Sequence, residues 1–501
     1  MERNAGILLP ITSLPSQYGI GCFSKSAYKF IDWLKAAGQT YWQILPLGPT
    51  GYGDSPYQSF STFAGNPYFI SLKALTEEGV LTRRECEATD FGSAPDRIQY
   101  EKIYNGRYPL LYKAYKRSGI TDNPSYRKFI EENDGWLSDY ALFMALKNQY
   151  GGVSWDKWPK ELRLHKASVM EHYRQTLQSE IEFYQYMQFK FFEQWNALKA
   201  YANKNGIRFI GDIPIYVAMD SADVWAHPEL FQLDKDNVPL AVAGCPPDGF
   251  SADGQLWGNP LYRWDYHRDT GYKWWLSRLE YCFGMYDVLR IDHFRGFDEY
   301  YSIPYKDSSA SGGRWEKGPG IALFRCMEER LGRREVIAED LGYVTDSVRR
   351  LVKDSGFPGM KVLEFAFDSR DSGSADDYLP HNYPENSIAY TGTHDNETLS
   401  GWFESITKEE QNAARDYLCD RHTPDCLLYK SFIALAMRSN AKTCIIPMQD
   451  YMGLGNDCRT NKPSTVGNNW RWRLKKEDLT KTLQKKICSM TKRYGRTEAS
   501  L

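Results

Sequence analysis

The chain has 501 residues, of which 42% are hydrophobic and 25% charged, as in a globular protein with a large core. Its 62 basic and 64 acidic residues give a net charge of −2, which argues against nucleic acid or an anionic membrane as a partner. No stretch approaches the roughly 20 apolar residues of a membrane span, and the N-terminus lacks the pattern of a signal peptide.

Eight apolar runs of strand length alternate with helical patterns along the chain. The predicted strands are residues 5–9, 41–47, 208–213, 288–292, 336–339, 361–367, 388–391 and 444–449. They lack polar alternation, as expected of parallel strands covered on both faces. The predicted helices are residues 26–37, 177–203, 272–283, 321–331, 345–353, 408–418, 426–437 and 476–489. This order predicts an α/β fold, a (β/α)8 TIM barrel, with a doubly wound open sheet as the alternative.

Two connections are too long for plain loops. Residues 48–207 are interpreted as a largely helical insertion that also contains the second barrel helix, and residues 214–271 as an insertion between strands three and four. Both leave from the C-terminal ends of strands, the face where barrels build their sites, so they are placed to wall a groove. The second includes a predicted hairpin, residues 231–240. Residues 1–501 are therefore expected to form a single barrel domain without a C-terminal β domain.

The ten cysteines are scattered, with no Cys-x-x-Cys and no pairing with histidine at zinc spacing. In a large, core-rich chain they are interpreted as reduced thiols, which predicts a cytoplasmic protein. Asp234-Lys-Asp236 resembles the start of a calcium loop but lacks the required glycine and glutamate. No Gly-x-Gly-x-x-Gly or Gly-x-x-x-x-Gly-Lys loop follows a strand. We therefore predict neither a metal nor a cofactor.

Acidic side chains stand at the ends of three predicted strands. Because side chains alternate across a strand, Arg290 and Asp292 point the same way at the end of the fourth. Glu339 ends the fifth strand, and Asp395 follows the seventh. A barrel brings these ends to one mouth. For Arg290 and Asp292 taken alone, a structural ion pair is the alternative interpretation.

Several carboxylates in one cleft suit glycosidic bond chemistry, with one as nucleophile, one as acid and then base, and a third that steadies the cationic transition state. Arg290 is expected to help keep Asp292 ionised, as a nucleophile must be. The apolar residues before Glu339 favour the protonated form that an acid catalyst needs. His293 and His394 are candidate donors to sugar hydroxyls, with a structural role as the alternative. Metal binding by these groups is less expected, because adjacent side chains on a strand diverge.

Longer motifs around the acids resemble one family. The motifs are Ile291-Asp-His-Phe-Arg-Gly296, Ile337-Ala-Glu-Asp-Leu-Gly342, Thr393-His-Asp-Asn396, Gly53-Asp-Ser-Pro-Tyr-Gln-Ser-Phe-Ser61, Ala64-Gly-Asn-Pro67, Gly211-Asp-Ile-Pro-Ile-Tyr-Val217, Pro246-Pro-Asp-Gly-Phe-Ser251 and Gly254-Gln-Leu-Trp-Gly-Asn-Pro260. In this order they are similar to the amylomaltases, which are 4-α-glucanotransferases related to the α-amylases. The resemblance covers nearly the whole chain.

The resemblance implies a barrel with insertion subdomains, a retaining double displacement on maltooligosaccharides and other α-1,4-glucans, and no obligatory metal. It assigns Asp292 as nucleophile, Glu339 as acid and base, and Asp395 as transition-state stabiliser. For a retaining mechanism, the carboxyls of Asp292 and Glu339 should lie about 5–5.5 Å apart. The resemblance also implies sugar contacts from Ser55, Tyr57, Asp212, Asp248, Trp257, Arg290, His293, Asp368, His394 and Asn461.

Two other functions remain open at this point. An α-1,4-glucan hydrolase would use the same three acids, with water in place of the acceptor sugar. A non-catalytic glucan-binding protein would not need a nucleophile and a proton donor.

The sequence also departs from the family in one loop, where the usual Asn-x-Pro-Gly-Thr is replaced by Asn461-Lys-Pro-Ser-Thr465. Ser464 in place of glycine bears on the backbone freedom of that loop and on the geometry of the Asn461 contact.

Overall fold

A computed structural model describes residues 3–51, 53–247, 253–342, 344–369 and 375–497. The strands are β1 (Asn4–Leu8), β2 (Tyr41–Gln43), β3 (Arg208–Pro214), β4 (Ala241–Cys245), β5 (Gln255–Pro260), β6 (Val288–Asp292), β7 (Glu299–Pro304), β8 (Arg314–Lys317), β9 (Val336–Ala338), β10 (Gly359–Val362), β11 (Ser387–Tyr390) and β12 (Thr443–Pro447).

The helices are α1 (Lys25–Ala36), α2 (Leu72–Glu77), α3 (Arg83–Glu87), α4 (Tyr100–Ser118), α5 (Pro124–Gln149), α6 (Lys160–Arg163), α7 (Ala167–Thr176), α8 (Gln178–Lys204), α9 (Ala222–Ala226), α10 (Trp264–Asp269), α11 (Lys273–Met285), α12 (Ile321–Leu331), α13 (Asp346–Ser355), α14 (Leu399–Ser405), α15 (Lys408–Leu418), α16 (Asp425–Arg438), α17 (Met448–Met452) and α18 (Lys481–Arg493). Within the described ranges, no helix is long and apolar enough to cross a membrane.

Eight parallel strands close into a barrel in the order β1-β12-β11-β10-β9-β6-β3-β2. These are the eight strands that the sequence predicts, so the TIM barrel is confirmed and the open sheet is excluded. Their inward-facing side chains form a buried cluster that includes Leu8, Tyr41, Ile210, Val288 and Ile445. This packed interior leaves the chemistry to the strand ends.

The sixth barrel strand lies earlier than predicted. β10 begins at Gly359, and the apolar run that follows it turns into a 3-10 helix over Leu363–Ala366. The strand is placed by contacts from other elements: Gly359 pairs with Ala338 of β9, and Met360 N–H donates to Asp340 Oδ1 at 2.8 Å. Apolar runs alone do not reveal such a shift, because the 3-10 segment is as buried as a strand.

A second, antiparallel sheet in the order β5-β4-β7-β8 was not predicted. Its first two strands lie in the insertion after β3, and its last two follow β6, so the pairing joins segments that are distant in sequence. The predicted hairpin at residues 231–240 is present as a short one, with an antiparallel bridge between Leu233 and Pro239 and a hydrogen bond from Leu240 N–H to Gln232 O at 3.0 Å. The sheet stands beside the C-terminal end of β6, where the polar residues cluster.

The connection between β2 and β3 carries seven helices, α2 to α8. α8 is the barrel helix predicted at residues 177–203, and its apolar side packs against α5. Gln188 of α8 anchors the loop before α2, because its side chain both accepts from Gly65 N–H and donates to Gly65 O. The loop that contains Tyr57 is thereby attached to the barrel wall.

Candidate active site

Neighbouring strands bring the predicted acids together. β3, β6 and β9 are adjacent in the barrel, and Ile291 pairs with Ala338, one residue before Asp292 and Glu339 respectively. Asp212 on β3 pairs with Arg290 on β6. Three carboxylates and one guanidinium therefore share one sector of the C-terminal mouth.

Arg290 is the electrostatic centre of this sector. Only 3% of its side chain is exposed, and its Nη1 donates to Asp212 Oδ2 at 2.7 Å and lies 3.0 Å from Asp292 Oδ1. Burial acts to lower the pKa of Arg290, but Asp212 and Asp292 outweigh it and hold that pKa well above its usual range. The guanidinium is therefore a permanent charge that two carboxylates share.

Asp292 is the last residue of β6, and 27% of its side chain is exposed. Burial raises its pKa to about 6, Arg290 opposes this rise, and Asp212 adds to it. The predicted support from Arg290 is thus present, but it is divided between two acids. At neutral pH, Asp292 is ionised and open to the cleft.

Glu339 is fixed by two backbone donors. His293 N–H donates to its Oε2 at 2.6 Å, and Leu341 N–H donates to its Oε1 at 3.0 Å. Burial raises the pKa of Glu339 to about 7, and the charge of Asp292 pushes it in the same direction against Arg290. Glu339 therefore holds a proton at a pH where Asp292 has already lost one, which is the division of roles that glycosidic bond cleavage requires.

His293 owes its position to a rare backbone conformation, with φ at +55°. This turn directs its N–H to Glu339 while the imidazole contacts Trp257 edge-to-face, with ring centroids 4.9 Å apart. Burial, with Arg295 nearby, lowers the pKa of His293 to about 3, so the ring is neutral. Its Nε2 is buried and has no hydrogen-bond partner among the described residues.

Asp395 lies after β11 and is held from two sides. His394 Nε2 lies 3.3 Å from its Oδ1, and Asn461 Nδ2 donates to the same oxygen at 2.6 Å. Burial would raise the pKa of Asp395, but 44% of the side chain is exposed, and His394 and Asn461 lower the pKa to about 2. Asp395 therefore stays ionised throughout the ordinary pH range.

Tyr57 connects the first insertion to the acids. Its hydroxyl donates to Asp212 Oδ2 at 2.8 Å, and its ring stacks on His394 with centroids 5.0 Å apart. Ser55 Oγ accepts from Tyr57 N–H at 3.3 Å and so fixes the turn that presents the ring. Burial, with Asp212 nearby, raises the pKa of Tyr57 well above its usual range, so the phenol remains a donor.

Two predicted sugar contacts, Asp368 and Trp257, are less closely tied to this group, and a third cannot be placed. Asp368 is buried beyond the 3-10 helix that follows β10, where its charge acts on Glu364. Asp248 lies outside the described residues. Trp257 on β5 contacts the ring of His293, and its Nε1 donates to Gln255 Oε1 at 3.0 Å.

The sequence did not single out Arg459 and Trp470. Arg459 donates from Nη2 to Asp395 O at 2.5 Å and from Nε to Asn461 O at 2.7 Å, so it joins the two residues. The centroid of the Trp470 ring lies 5.9 Å from the ring centroid of Tyr57 and 6.0 Å from that of His394. A cation two residues before Asn461 was the only available signal, and it is a weak one.

Across the parts of the chain that the structure describes, no group of three or more histidine, cysteine or acidic side chains is placed to hold a metal ion. The acids instead have Arg290, backbone N–H groups and Asn461 as their partners.

Comparison with known proteins shows extensive similarity. The family model described as 4-alpha-glucanotransferase (Glyco_hydro_77) matches residues 9–480. A 4-alpha-glucanotransferase of Clostridium butyricum is 49% identical over 97% of this chain and 100% of its own length. One from Thermus thermophilus is 44% identical over 96% of each chain. The structure of an amylomaltase from Streptococcus agalactiae in complex with acarbose superposes with a TM-score of 0.95, at 42% identity, over 99% of this chain and 100% of that one.

Proposed function

This chain belongs to the 4-alpha-glucanotransferase family, and on that premise we propose that it transfers an α-1,4-glucan segment from a maltodextrin to the 4-hydroxyl of another glucan or of glucose. The observation that carries the chemistry is the arrangement of Asp292 and Glu339 at the ends of neighbouring strands. His293 N–H donates a hydrogen bond to Glu339, and Arg290 pairs with Asp292. It offers a nucleophile and an acid with separated pKa values.

In the first step, Glu339 gives its proton to the glycosidic oxygen as the bond to the anomeric carbon breaks. An oxygen of Asp292 forms a new bond to that carbon, so the non-reducing fragment becomes a glycosyl ester and the remaining sugar leaves as an alcohol. Asp395, ionised beside the cleft, faces the positive charge that develops on the ring.

In the second step, the carboxylate left on Glu339 takes the proton of the acceptor 4-hydroxyl. The acceptor oxygen bonds to the anomeric carbon, and the ester bond to Asp292 breaks, which restores both carboxyls and the original stereochemistry. The aromatic rings of Tyr57 and Trp257 supply flat surfaces for the sugars, and the imidazole of His293 stands beside Trp257.

The insertions around the barrel and the state of the cysteines also support this proposal. Residues 1–501 would act as one barrel unit, with the insertions at 48–207 and 214–271 as the walls of the cleft, since Tyr57 and Trp257 reach the centre from them. Such walls exclude water and hold acceptor sugars. All ten cysteines are free thiols, which supports a cytoplasmic location. No metal or cofactor takes part in the proposed steps.

Incubation with maltotriose tests the proposal. Glucose together with longer maltodextrins is the expected result, whereas maltose and glucose without longer chains would identify a hydrolase. Asp292→Ala and Glu339→Gln should each abolish the reaction. Unchanged products with Asp292→Ala would refute its role as nucleophile, and binding without turnover in the unaltered protein would point to a glucan-binding protein.

A further inference from the structure

The loop between β11 and α14 carries His394 and Asp395, and a buried carboxylate joins its two ends. Asp450 Oδ2 accepts from the Thr391 hydroxyl at 2.5 Å, directly after β11, and Asp450 Oδ1 accepts from Leu399 N–H at 2.8 Å, the first residue of α14. Asp450 is 1% exposed and lies in α17, which follows β12 without a break.

The interior of this loop is a compact hydrogen-bonded turn. Asn396 Oδ1 accepts from Thr393 N–H at 2.9 Å and from the Thr393 hydroxyl at 2.8 Å, and Thr393 Oγ1 accepts from Asp395 N–H at 3.2 Å. Gly392 packs so closely on Glu364 that a Cβ there would lie 2.8 Å from Glu364 Oε1. Because these hydrogen bonds join the residues of the turn to one another, a displacement of its ends is passed to Asp395.

We propose that Asp450 is a positioning residue for the transfer reaction, because it holds both ends of the loop at residues 391–399 and so fixes where His394 and Asp395 stand in the cleft. Within the described part of the chain, Asp450 makes its side-chain hydrogen bonds to Thr391 and Leu399 and none to the catalytic acids, so it acts through the loop. The inference rests on the function proposed above.

The surroundings keep Asp450 as the acceptor that this role requires. Glu364 faces Asp450 from the 3-10 helix after β10. Burial raises the pKa of Glu364 well above its usual range, and the charge of Asp450 adds to this rise, so Glu364 is neutral. Burial raises the pKa of Asp450 to about 6, against the opposing effect of the Leu399 N–H and the Thr391 hydroxyl. Of the charged groups that act on Glu364, Glu397 and Asp368 are negative and Arg459 is positive.

The test compares Asp450→Ala, Asp450→Asn and Thr391→Val in the disproportionation of maltotriose. At a temperature where circular dichroism shows each variant folded, we expect Asp450→Ala to lower kcat by about 10- to 100-fold with KM changed less than about twofold, because a displacement of about 1 Å costs this much in rate. Asp450→Asn should retain more activity, since its amide can donate to Thr391 Oγ while its oxygen accepts from Leu399 N–H. Thr391→Val removes one of the two attachments and should fall between them.

Asp287→Asn is the matched control. The Asp287 carboxylate also holds backbone and side-chain donors, Phe209 N–H at 2.7 Å and Asn203 Nδ2 at 2.9 Å, but it lies directly before β6, at the barrel end opposite to the acids. It should lose stability without the loss of kcat. If Asp450→Ala fails to fold, the other two variants carry the test.

A double-mutant cycle separates positioning from general weakening. Against an Asp395→Asn background, measured with a glycosyl fluoride donor, the loss caused by Asp450→Ala should shrink toward zero, because its route of action is gone. Equal losses in both backgrounds, or a folded Asp450→Ala with normal kcat, would overturn the inference. Absence of transfer in the unaltered enzyme would instead overturn the proposed function.

Discussion

Burial and one guanidinium together set the charge states on which the proposed reaction depends. Arg290 lies between Asp212 and Asp292 and is almost fully buried, so neither carboxylate has it alone. Burial raises the pKa of Asp292 to about 6 and that of Glu339 to about 7, and Arg290 opposes both rises. The molecule therefore has one ionised and one protonated acid only within a limited pH range.

The pH dependence of kcat/KM should show this range. Activity should rise as Asp292 loses its proton near pH 6 and fall as Glu339 loses its proton near pH 7, with both limbs belonging to the interacting pair. A glycosyl fluoride needs no proton on its leaving group, so with this donor the alkaline limb of the first step should disappear. Steady-state rates across the acid and alkaline range measure both; a flat profile with maltotriose would contradict the assignment.

Ser464 has a left-handed backbone, with φ at +61°, in the loop after Asn461. A side chain there is strained, and removing it should stabilise the protein by about 1 kcal/mol. We therefore expect Ser464→Gly to raise the urea midpoint. Val466→Gly is the control: Val466 is 74% exposed in the same loop without a positive φ, so it should lower the midpoint or leave it unchanged. Equal effects of the two substitutions would argue against strain.

At the scale of single elements, β3 packs closely against the ring of Tyr286 at Gly211. A Cβ on Gly211 would lie 2.1 Å from Tyr286 Cγ, and the next residue, Asp212, must face the cleft. Gly211→Ala should therefore cost about 1–3 kcal/mol or prevent folding, because the strand has to move away from Tyr286. Gly284→Ala, at the end of α11 with open space around its Cβ, is the matched control and should be neutral or stabilising. Thermal unfolding of both variants is the measurement.

The elements also show how far the sequence could predict the structure. β6 and β9 were visible because each is an apolar run that ends in an acid, and that pattern also located Asp292 and Glu339. The sheet formed by β4, β5, β7 and β8 was missed, since its strands pair across long stretches of sequence and leave no local pattern. Arg459 was missed for a similar reason: its role depends on Asp395, 64 residues away.

At the scale of the whole molecule, Arg496 connects the segment after α18 to the barrel through hydrogen bonds. Arg496 is completely buried, and its guanidinium donates to five backbone carbonyls: Asn4, Met437, Ser439, Ala441 and Lys442. Arg496→Ala would leave several of these carbonyls without a partner, at a cost of about 1–3 kcal/mol for each that water does not reach.

We therefore expect Arg496→Ala to lower the free energy of unfolding by about 3 kcal/mol or more in urea titrations. Arg496→Lys should recover only part of the loss, because an ammonium group cannot match the planar fork. Arg493→Ala, exposed on the last turn of α18, serves as the control and should change little. An Arg496→Ala variant as stable as the control would contradict this account.

The pairing of β1 with β12 also has a consequence for biosynthesis. β1 emerges from the ribosome before the other barrel strands, but its second partner is complete only when Pro447 has been added. At a synthesis rate of about 5–20 residues per second, one edge of β1 stays unpaired for on the order of half a minute or more. An unpaired edge strand is a template for wrong pairing with other chains. The nascent chain should therefore be most prone to aggregation, and most dependent on chaperones, until its last strand is released.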